Sequence, residues 1–312
     1  MVEIQGILSD PKVVTCGVPQ GSILGPLLFL CYINDMKCAL KYKLVLYADD
    51  SCIFVSAKDP QFISDTLSSE LFECNEWLSD NRLSLHVGKT ECILFGTKHK
   101  LNKINDFSIM YKGRQIATST KVKYLGLELD NCLTGESVVS SILKKTNNKL
   151  RFLYRYRNIL NTDLRKLLCQ ALIQPHFDYA CCSWFDGLSK SSQTKLQVSQ
   201  NKMIRYILSL GNRVSVTASE FRQSGFLRVE QRVRQFRLNH SYKVINGLSP
   251  HYLQQHFTPI STVHGYRTRG SVANMVVPRV KHDAAKIFYK LQSMIGITYQ
   301  HNCSYLIITT AG

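Results

Sequence analysis

The feature that most constrains this chain is a pair of aspartates between two apolar, β-branched segments. In KLVLYADDSCIFVS, residues 43–56, apolar arms lie on both sides of Asp49 and Asp50. Such arms favour strands, and aspartate favours tight turns. The pattern predicts a β-hairpin with two carboxylates at its tip. Aspartate is common in turns for purely structural reasons, so the pair alone does not identify a function.

Adjacent carboxylates on a rigid hairpin suit a divalent metal ion. Enzymes that transfer phosphoryl groups often hold two such ions, roughly 3.5–4 Å apart, between the attacking and leaving oxygens. Mg²⁺ prefers oxygen ligands and keeps several waters, so it needs few protein carboxylates. Asp49 and Asp50 are therefore candidate ligands of Mg²⁺, with Mn²⁺ as the alternative.

Positive charge is confined to the second part of the chain. Residues 1–130 contain 14 Lys and Arg against 15 Asp and Glu, a net charge of −1. Residues 131–312 contain 25 against 7, a net charge of +18, which completes the overall +17. This imbalance predicts a polyanion partner for the second part, and a nucleic acid is favoured over a membrane surface because the excess lies in helical segments.

Composition indicates an intracellular globular protein. Of the 312 residues, 45% are hydrophobic and 20% charged, which excludes wholesale disorder. None of the eleven cysteines forms a C-x-x-C pair, so no zinc site is expected. Cys31, Cys52 and Cys92 lie in apolar runs and are predicted to be buried thiols. No signal peptide is apparent, and the longest apolar run, residues 23–33, is too short to span a membrane, so a nuclear or cytoplasmic protein is expected rather than a secreted one.

Hydrophobic periodicity divides the chain near residues 130–136. Before this boundary the pattern predicts mixed helices and strands, and after it mainly helices. The predicted helices are a buried one at 22–40 and others at 60–84, 136–158, 162–182, 190–210 and 228–246. The predicted strands beyond the hairpin lie at 90–95, 107–111 and 121–130, residues 1–18 are a strand ending in a turn, and 247–280 is rich in loops.

Several motifs resemble a known family. Tyr47-Ala48-Asp49-Asp50 resembles the catalytic motif of reverse transcriptases. Residues 17–35, GVPQGSILGPLLFLCYIND, resemble the segment that precedes this motif in non-LTR (LINE-type) retrotransposon enzymes. Residues 77–95, 121–130 and 174–185 resemble later segments of the family, in the same order. The resemblance extends from about residue 13 to about residue 280.

The resemblance implies roles for individual residues. Asp49 and Asp50 would be catalytic metal ligands. Lys89 would steady or protonate the departing pyrophosphate, although a lysine in a solvated loop is an equally good interpretation. The nucleotide-binding residues would be Gln20, Gly21, Tyr47 and Ala48. Primer and template would be held by Tyr124, Leu125, Gly126, Lys144, Lys145, Lys149, Arg151 and Arg155.

The fold implied by the resemblance is α+β. A partial polymerase palm, with a small antiparallel sheet and helices on one face, would occupy residues 1–132. A helical thumb would follow at 133–210, and then a basic, partly helical, loop-rich region at 211–312. The expected partners are an RNA template, a DNA primer and a deoxynucleoside triphosphate.

The sequence is expected to be cut off before the first catalytic aspartate and the fingers. The family takes a further carboxylate from an earlier strand, but only Glu3 and Asp10 precede residue 17 and neither has the matching context. Two functions of different kinds, one enzymatic and one of binding only, are compatible with these residues. One is RNA-directed DNA synthesis, and the other is nucleic-acid binding by a non-catalytic remnant of a decayed element. An expressed product without any role is a third interpretation.

Overall fold

The computed structural model describes residues 3–10, 13, 17, 18, 21–104, 107–254 and 304–310, the last segment by its backbone only. Within these residues, the first part combines strands and helices and the second is helical, which agrees with the predicted α+β class. The strands of the described part are β1 (Glu3–Ile4), β2 (Ile7–Leu8), β3 (Lys43–Tyr47), β4 (Asp50–Ala57), β5 (Thr90–Phe95), β6 (Ile109–Tyr111), β7 (Arg114–Thr118), β8 (Lys121–Tyr124), β9 (Leu127–Asp130) and β10 (Ser304–Thr310).

Some of the described helices lie beside the sheet, and the others form the second part of the chain. They are α1 (Gly25–Ile33), α2 (Met36–Ala39), α3 (Pro60–Asp80), α4 (Lys98–Leu101), α5 (Glu136–Tyr154), α6 (Thr162–Leu172), α7 (Gln174–Asp178), α8 (Cys181–Trp184), α9 (Lys190–Ile207), α10 (Ala218–Ser224), α11 (Val229–Ile245) and α12 (His251–Gln254). Two 3₁₀ turns lie at Val87–Lys89 and Phe185–Gly187.

Six strands form the main sheet, in the order β3-β4-β10-β5-β7-β6. β10 is antiparallel to both β4 and β5, so β4 and β5 run parallel to each other with one strand between them. β5 pairs with β7 in parallel. The sheet is therefore mixed, and the expectation of a purely antiparallel sheet was wrong. β7 was not predicted because RQIAT offers only one buried apolar residue, Ile116.

Helix α3 covers one face of this sheet. Asp59 caps its N-terminus by accepting a hydrogen bond from the Gln61 N–H, and Pro60 fits the first turn. Its buried stripe packs on the sheet together with Ile53, Val55, Cys92 and Leu94, and consists of Ile63, Leu67, Leu71, Cys74 and Leu78. Phe62, whose spacing from Leu67 and Leu71 in the sequence predicts that it belongs to this stripe, is instead 49% exposed.

The hairpin β8–β9 covers the other face. Val122 and Tyr124 pack with Cys52, Phe54, Ile93 and Phe95 of the sheet. The sheet is thus covered on both sides, and not only by helices on one face as expected. Residues 121–130 were predicted as one strand, but Leu125 and Gly126, with φ of 45° and 81°, turn the chain back on itself.

The helical part has its own core, built mainly from α5, α6, α9 and α11. Two buried polar side chains there have partners on neighbouring helices. Thr146, which interrupts the apolar face of α5, lies 3.1 Å from the Ser199 hydroxyl of α9. The Arg165 guanidinium of α6 donates to the Tyr206 carbonyl of α9 at 3.0 Å. These contacts tie the three helices together.

Some local predictions require correction. The predicted strand at the start of the chain is a two-residue pair, β1 and β2. The predicted helix at 22–40 breaks into α1 and α2, and α1 is largely exposed, with only Gly25 and Ile33 buried. Cys31 on α1 is exposed, whereas Cys52 and Cys92 are buried as predicted. The predicted helix at 162–182 is three helices, since Pro175 begins a new one and Ala180 is left-handed with φ of 47°.

Candidate functional site

The predicted acidic hairpin is present, and its turn has only two residues. Tyr47 and Asp50 form the last rung of β3 and β4, so Ala48 and Asp49 make the turn. Ala48 is left-handed, with φ of 51°, a conformation that costs a non-glycine residue roughly 1–2 kcal/mol. Tyr47, Ala48 and Asp49 are exposed and Asp50 is half-buried. Both carboxylates are therefore at the end of the sheet, where a solvated ion can reach them.

Asp50 lies on the face of the sheet that the hairpin β8–β9 covers. Burial raises the pKa of the Cys52 thiol well above its ordinary value, and the Asp50 carboxylate raises it further. Burial likewise raises the pKa of the Tyr124 hydroxyl, with Cys52 and then Asp50 adding to the effect. Tyr124 is only 5% exposed, and its hydroxyl has no hydrogen-bond partner among the described residues. A buried phenol without a partner thus lies close to the acidic turn.

Lys89 comes to the same end of the sheet as Asp50. It ends a 3₁₀ turn and directly precedes β5. Ser51 of β4 and Thr90 of β5 both pair with Thr310 of the strand between them. Asp50 and Lys89 therefore lie one residue beyond the same rung, with their backbones two strand spacings apart, about 10 Å. A lysine side chain can span most of that distance.

The predicted primer-holding residues form the turn of the hairpin β8–β9. Tyr124 is the last residue of β8, and Leu125 and Gly126 are the turn itself. The Tyr179 hydroxyl, from between α7 and α8, donates to the Leu125 carbonyl at 2.5 Å. A Cβ on Gly126 would lie 3.5 Å from that hydroxyl. Sequence patterns gave no signal for Tyr179, because its partner is a backbone carbonyl 54 residues away.

The predicted basic residues of α5 lie on two different faces of the helix. Lys145 and Lys149 both lower the pKa of His176 on α7, after the larger effect of its burial, so they face that helix. Lys145 also lines a cavity of about 90 Å³ together with Gly126 and Tyr179. Lys144 and Arg151 are separated by two turns and share the outward face with Arg155 at the C-cap.

Among the described residues, the outward-facing cations of α5 have no ion-pair partner. Among the residues that the structure describes, ion pairs join Lys121 to Glu128, Arg232 to Asp178 and Arg237 to Asp186, and none involves α5. Two exposed lysines of α9, Lys195 and Lys202, line a groove of about 420 Å³ against Leu143 and Asn147 of α5. Sequence reasoning missed these two lysines, although their spacing of seven residues places them on one helical face.

The glycine-rich segment before α1 is only partly described. Gly21 lies in an exposed turn, with φ of 90°, a conformation that favours glycine. The Tyr32 hydroxyl of α1 donates to the Asn81 carbonyl at the end of α3, which ties this segment to the sheet region. Gln20, predicted to contact the nucleotide, lies outside the described residues.

The donor set of the acidic turn fits a hard divalent cation only in part. Asp49 and Asp50 supply carboxylate oxygens, and the unpartnered Tyr124 hydroxyl lies nearby. In the described part of the chain, no group of three or more His, Cys, Asp and Glu side chains could hold a metal ion. Two carboxylates with water ligands suit one Mg²⁺, whereas a two-metal centre needs a further carboxylate. Among the same residues, no helix is long and apolar enough to cross a membrane.

Comparison with known proteins finds a family match for the first part of the chain. Residues 2–129 match the family model described as reverse transcriptase (RNA-dependent DNA polymerase). That match contains the acidic turn, Lys89 and the Leu125–Gly126 turn. No solved structure matches the chain.

The curated relatives are mobile-element polymerases. The chain is 26% identical over 66% of its length to a probable RNA-directed DNA polymerase from transposon X-element of Drosophila melanogaster, covering 23% of that protein. It is 27% identical, with the same coverage, to the polymerase from mobile element jockey of Drosophila funebris. It is 32% identical over 37% of its length to the Pol polyprotein from type-1 retrotransposable element R1 of Bradysia coprophila, covering 12% of it.

The matched region spans less than a quarter of the length of these relatives. The family model and the first two of these relatives are all described as RNA-dependent or RNA-directed DNA polymerases. Over residues 2–129, the chain is similar to reverse transcriptases, and the relatives that it resembles are RNA-directed DNA polymerases of mobile elements.

Proposed function

We propose that this chain supplies the metal-binding and primer-holding part of an RNA-directed DNA polymerase of a non-LTR retrotransposon. In this proposal residues 1–132 are a partial palm, residues 133–210 a thumb and residues 211–312 a basic C-terminal region. The observation that carries it is the convergence of Asp50, Lys89 and the Tyr124–Gly126 segment at one end of one sheet. Each of these comes from a different part of the sequence.

The acidic turn would hold the metal. Asp49 and Asp50 present carboxylate oxygens on a turn fixed by the rung between Tyr47 and Asp50. When bound there, Mg²⁺ supplies positive charge that favours ionisation of a primer 3′-hydroxyl and stabilises the leaving phosphates. Tyr47 and Ala48, exposed beside the carboxylates, and Gly21 are placed in this proposal against the incoming nucleotide.

In the reaction, the primer 3′-oxygen bonds to the α-phosphorus of the nucleotide while the bond to the β-phosphate oxygen breaks. Pyrophosphate leaves, and the Lys89 ammonium would donate the proton that it needs. The Leu125–Gly126 turn, held by the Tyr179 hydroxyl, would position the primer end. Pre-positioning of this kind is a large part of catalysis of phosphoryl transfer.

The basic helices would grip the template–primer duplex. Lys145 borders the same cavity as Gly126, which links α5 directly to the primer-holding turn. Lys144, Arg151 and Arg155 extend the positive surface outward. Because the described residues offer these cations no acidic partner, their charge is available to phosphates.

Primer extension tests the proposal. Purified chain with poly(rA) template, oligo(dT) primer, thymidine triphosphate and Mg²⁺ should lengthen the primer, and Asp50→Asn should abolish the extension. The matched control is Asp65→Asn, since Asp65 is exposed on α3, which follows the far end of β4. A wild-type chain that extends no primer, or an Asp50→Asn variant as active as wild type, contradicts the proposal.

A non-catalytic role in nucleic-acid binding is the second candidate. Its support is the exposed cations of α5, because their contacts with phosphates require no metal ion. This role predicts duplex binding that weakens steeply with salt while primer extension is absent. Binding that is insensitive to salt contradicts both candidates, because both depend on the basic helices.

A further inference from the structure

The central position of the main sheet is filled from a distant part of the sequence. Strand β4, helix α3 and strand β5 are consecutive, but the two strands do not pair with each other. They leave a space one strand wide, and β10 fills it. More than 200 residues separate β10 from β5 in the sequence. The unit β4–α3–β5 is thus a split β-α-β arrangement whose central strand is provided separately.

The space between β4 and β5 has hydrogen-bonding groups along both edges. β10 pairs with Ser51–Ala57 on one side, over seven rungs, and with Thr90–Phe95 on the other, over six. Without an occupant, both edges would present unpaired backbone groups, which are costly when buried. In strand addition of this kind, main-chain hydrogen bonds give affinity for an extended segment, and the surfaces that meet its alternate side chains give specificity.

Both faces of this space are covered by residues close in sequence to its edges. On one face α3 packs against Ile53, Val55, Cys92 and Leu94. On the other, Val122 and Tyr124 pack against Cys52, Phe54 and Ile93. Residues 50–124 therefore provide both neighbouring strands and the packing on both faces of this space. Only the strand between β4 and β5 comes from elsewhere in the sequence.

We propose that the space between β4 and β5 is a strand-acceptor site, and that residues 304–310 of this chain occupy it exchangeably. The ligand it takes is an extended, apolar segment antiparallel to both neighbours, such as SYLIITT itself. The same segment of a second copy, or a free peptide of the same sequence, can replace it. This proposal does not depend on polymerase activity.

The acceptor site also bears on the acidic turn. Thr310 pairs with Ser51, the neighbour of Asp50. The segment that occupies the site therefore determines which residues lie next to Asp50 and Lys89. Residues 304–310, SYLIITT, contain no Asp or Glu. This consequence rests on the proposed function, whereas strand exchange stands without it.

Cysteine cross-linking tests the position of the strand. The register pairs Thr309 with Cys52 and Ile308 with Cys92, and cross-strand pairs have Cα separations within the range for disulfides. In a Cys303→Ser background, oxidation should link Thr309→Cys to Cys52 and Ile308→Cys to Cys92, as identified by mass spectrometry. The matched control is Ile307→Cys, which pairs with Phe54 and Ile93 and should form neither link.

Peptide competition then tests the exchange. A tethered segment has an effective concentration on the order of 1 mM, so free peptide with the sequence of residues 301–312 and the same Cys303→Ser change, at that level, should lower the link yield about twofold. The same peptide with Ile307→Pro should not compete, because proline cannot donate a backbone hydrogen bond. A covalent dimer with the same links also supports exchange, between copies.

Two outcomes overturn the proposal. If the Thr309→Cys and Ile308→Cys variants form no specific link, residues 304–310 do not occupy the site. If they form links that neither peptide reduces and no dimer appears, the strand is a fixed part of the sheet. Primer extension is measured separately on the wild-type protein. Its result tests the proposed function, and the cross-linking results test the strand-acceptor site.

Discussion

The sheet region and the helical region differ in charge and in how they use it. Residues 1–130 carry a net charge of −1 and present an acidic turn at one end of a sheet. Residues 131–312 carry +18, and the cations on the outward face of α5 have no ion-pair partner among the described residues. Two carboxylates that must lie close together need a rigid turn to hold them. Cations that are spread over a surface are instead carried along a long helix.

One polar contact between the helices of the second region and the sheet region lies at the β8–β9 turn. The Tyr179 hydroxyl reaches the Leu125 carbonyl, and the cavity beside it is shared by Gly126 and Lys145. Each region has a separate apolar core. We therefore expect substitutions in one core to leave the other region folded, and substitutions at the contact to affect how the regions act together.

The largest expected effects are on stability, one for each core. Leu67→Ala in the sheet region and Ile204→Ala in the helical region should each lower the free energy of unfolding by about 2–5 kcal/mol, since both side chains are fully buried. Urea denaturation followed by circular dichroism measures this loss. Phe62→Ala is the control and should cost far less, because Phe62 is 49% exposed. An equal loss in all three variants would contradict the assignment of the buried stripe.

The next effect concerns the salt dependence of duplex binding. Combining Lys144→Ala, Arg151→Ala and Arg155→Ala removes three exposed cations of α5. If each contacts one phosphate, the slope of log affinity against log salt should become shallower by about 2–3. Fluorescence anisotropy at several salt concentrations measures it. A matched triple variant in the sheet region, Lys58→Ala, Lys103→Ala and Lys112→Ala, should keep the original slope, and an equal change there would remove the distinction between the regions.

A smaller effect is expected at the contact between the regions. Tyr179→Phe removes the hydrogen bond to the Leu125 carbonyl and should cost about 1 kcal/mol of stability. Hydrogen exchange at the β8–β9 turn should increase while exchange in β4 and β5 does not. Tyr156→Phe, at an exposed tyrosine of the same region, is the control. Unchanged exchange at the turn would show that Tyr179 does not hold it.

The smallest effect is a shift in titration. Burial, Lys149 and Lys145 lower the pKa of His176 below its ordinary 6.5. Because the folded-state pKa is below the unfolded one, stability is lost as pH falls below about 6.5. Lys145→Ala should raise the pKa of His176, and duplex binding should raise it too by neutralising Lys145 and Lys149. NMR titration measures both shifts, with Lys144→Ala as control, and an unmoved pKa on binding would place the duplex elsewhere.

Local sequence patterns determined much of the architecture. Apolar arms around Asp49 and Asp50 predicted the hairpin, and helical spacing predicted α3, α5, α9 and α11 to within a few residues. Motif order also predicted the family, which the comparisons confirmed. These predictions succeeded because strands, turns and amphipathic helices depend on residues that are close together in the chain. Their patterns can therefore be read from the sequence.

Contacts between distant residues decided the rest. The sequence could not place β10 between β4 and β5, put Lys89 on the same sheet end as Asp50, bring Tyr179 to the Leu125 carbonyl, or leave the apolar helix α1 exposed. Each of these depends on which backbone edges and side chains meet after the chain has folded. Apolar periodicity shows that a face can be buried, but only tertiary packing selects its partner.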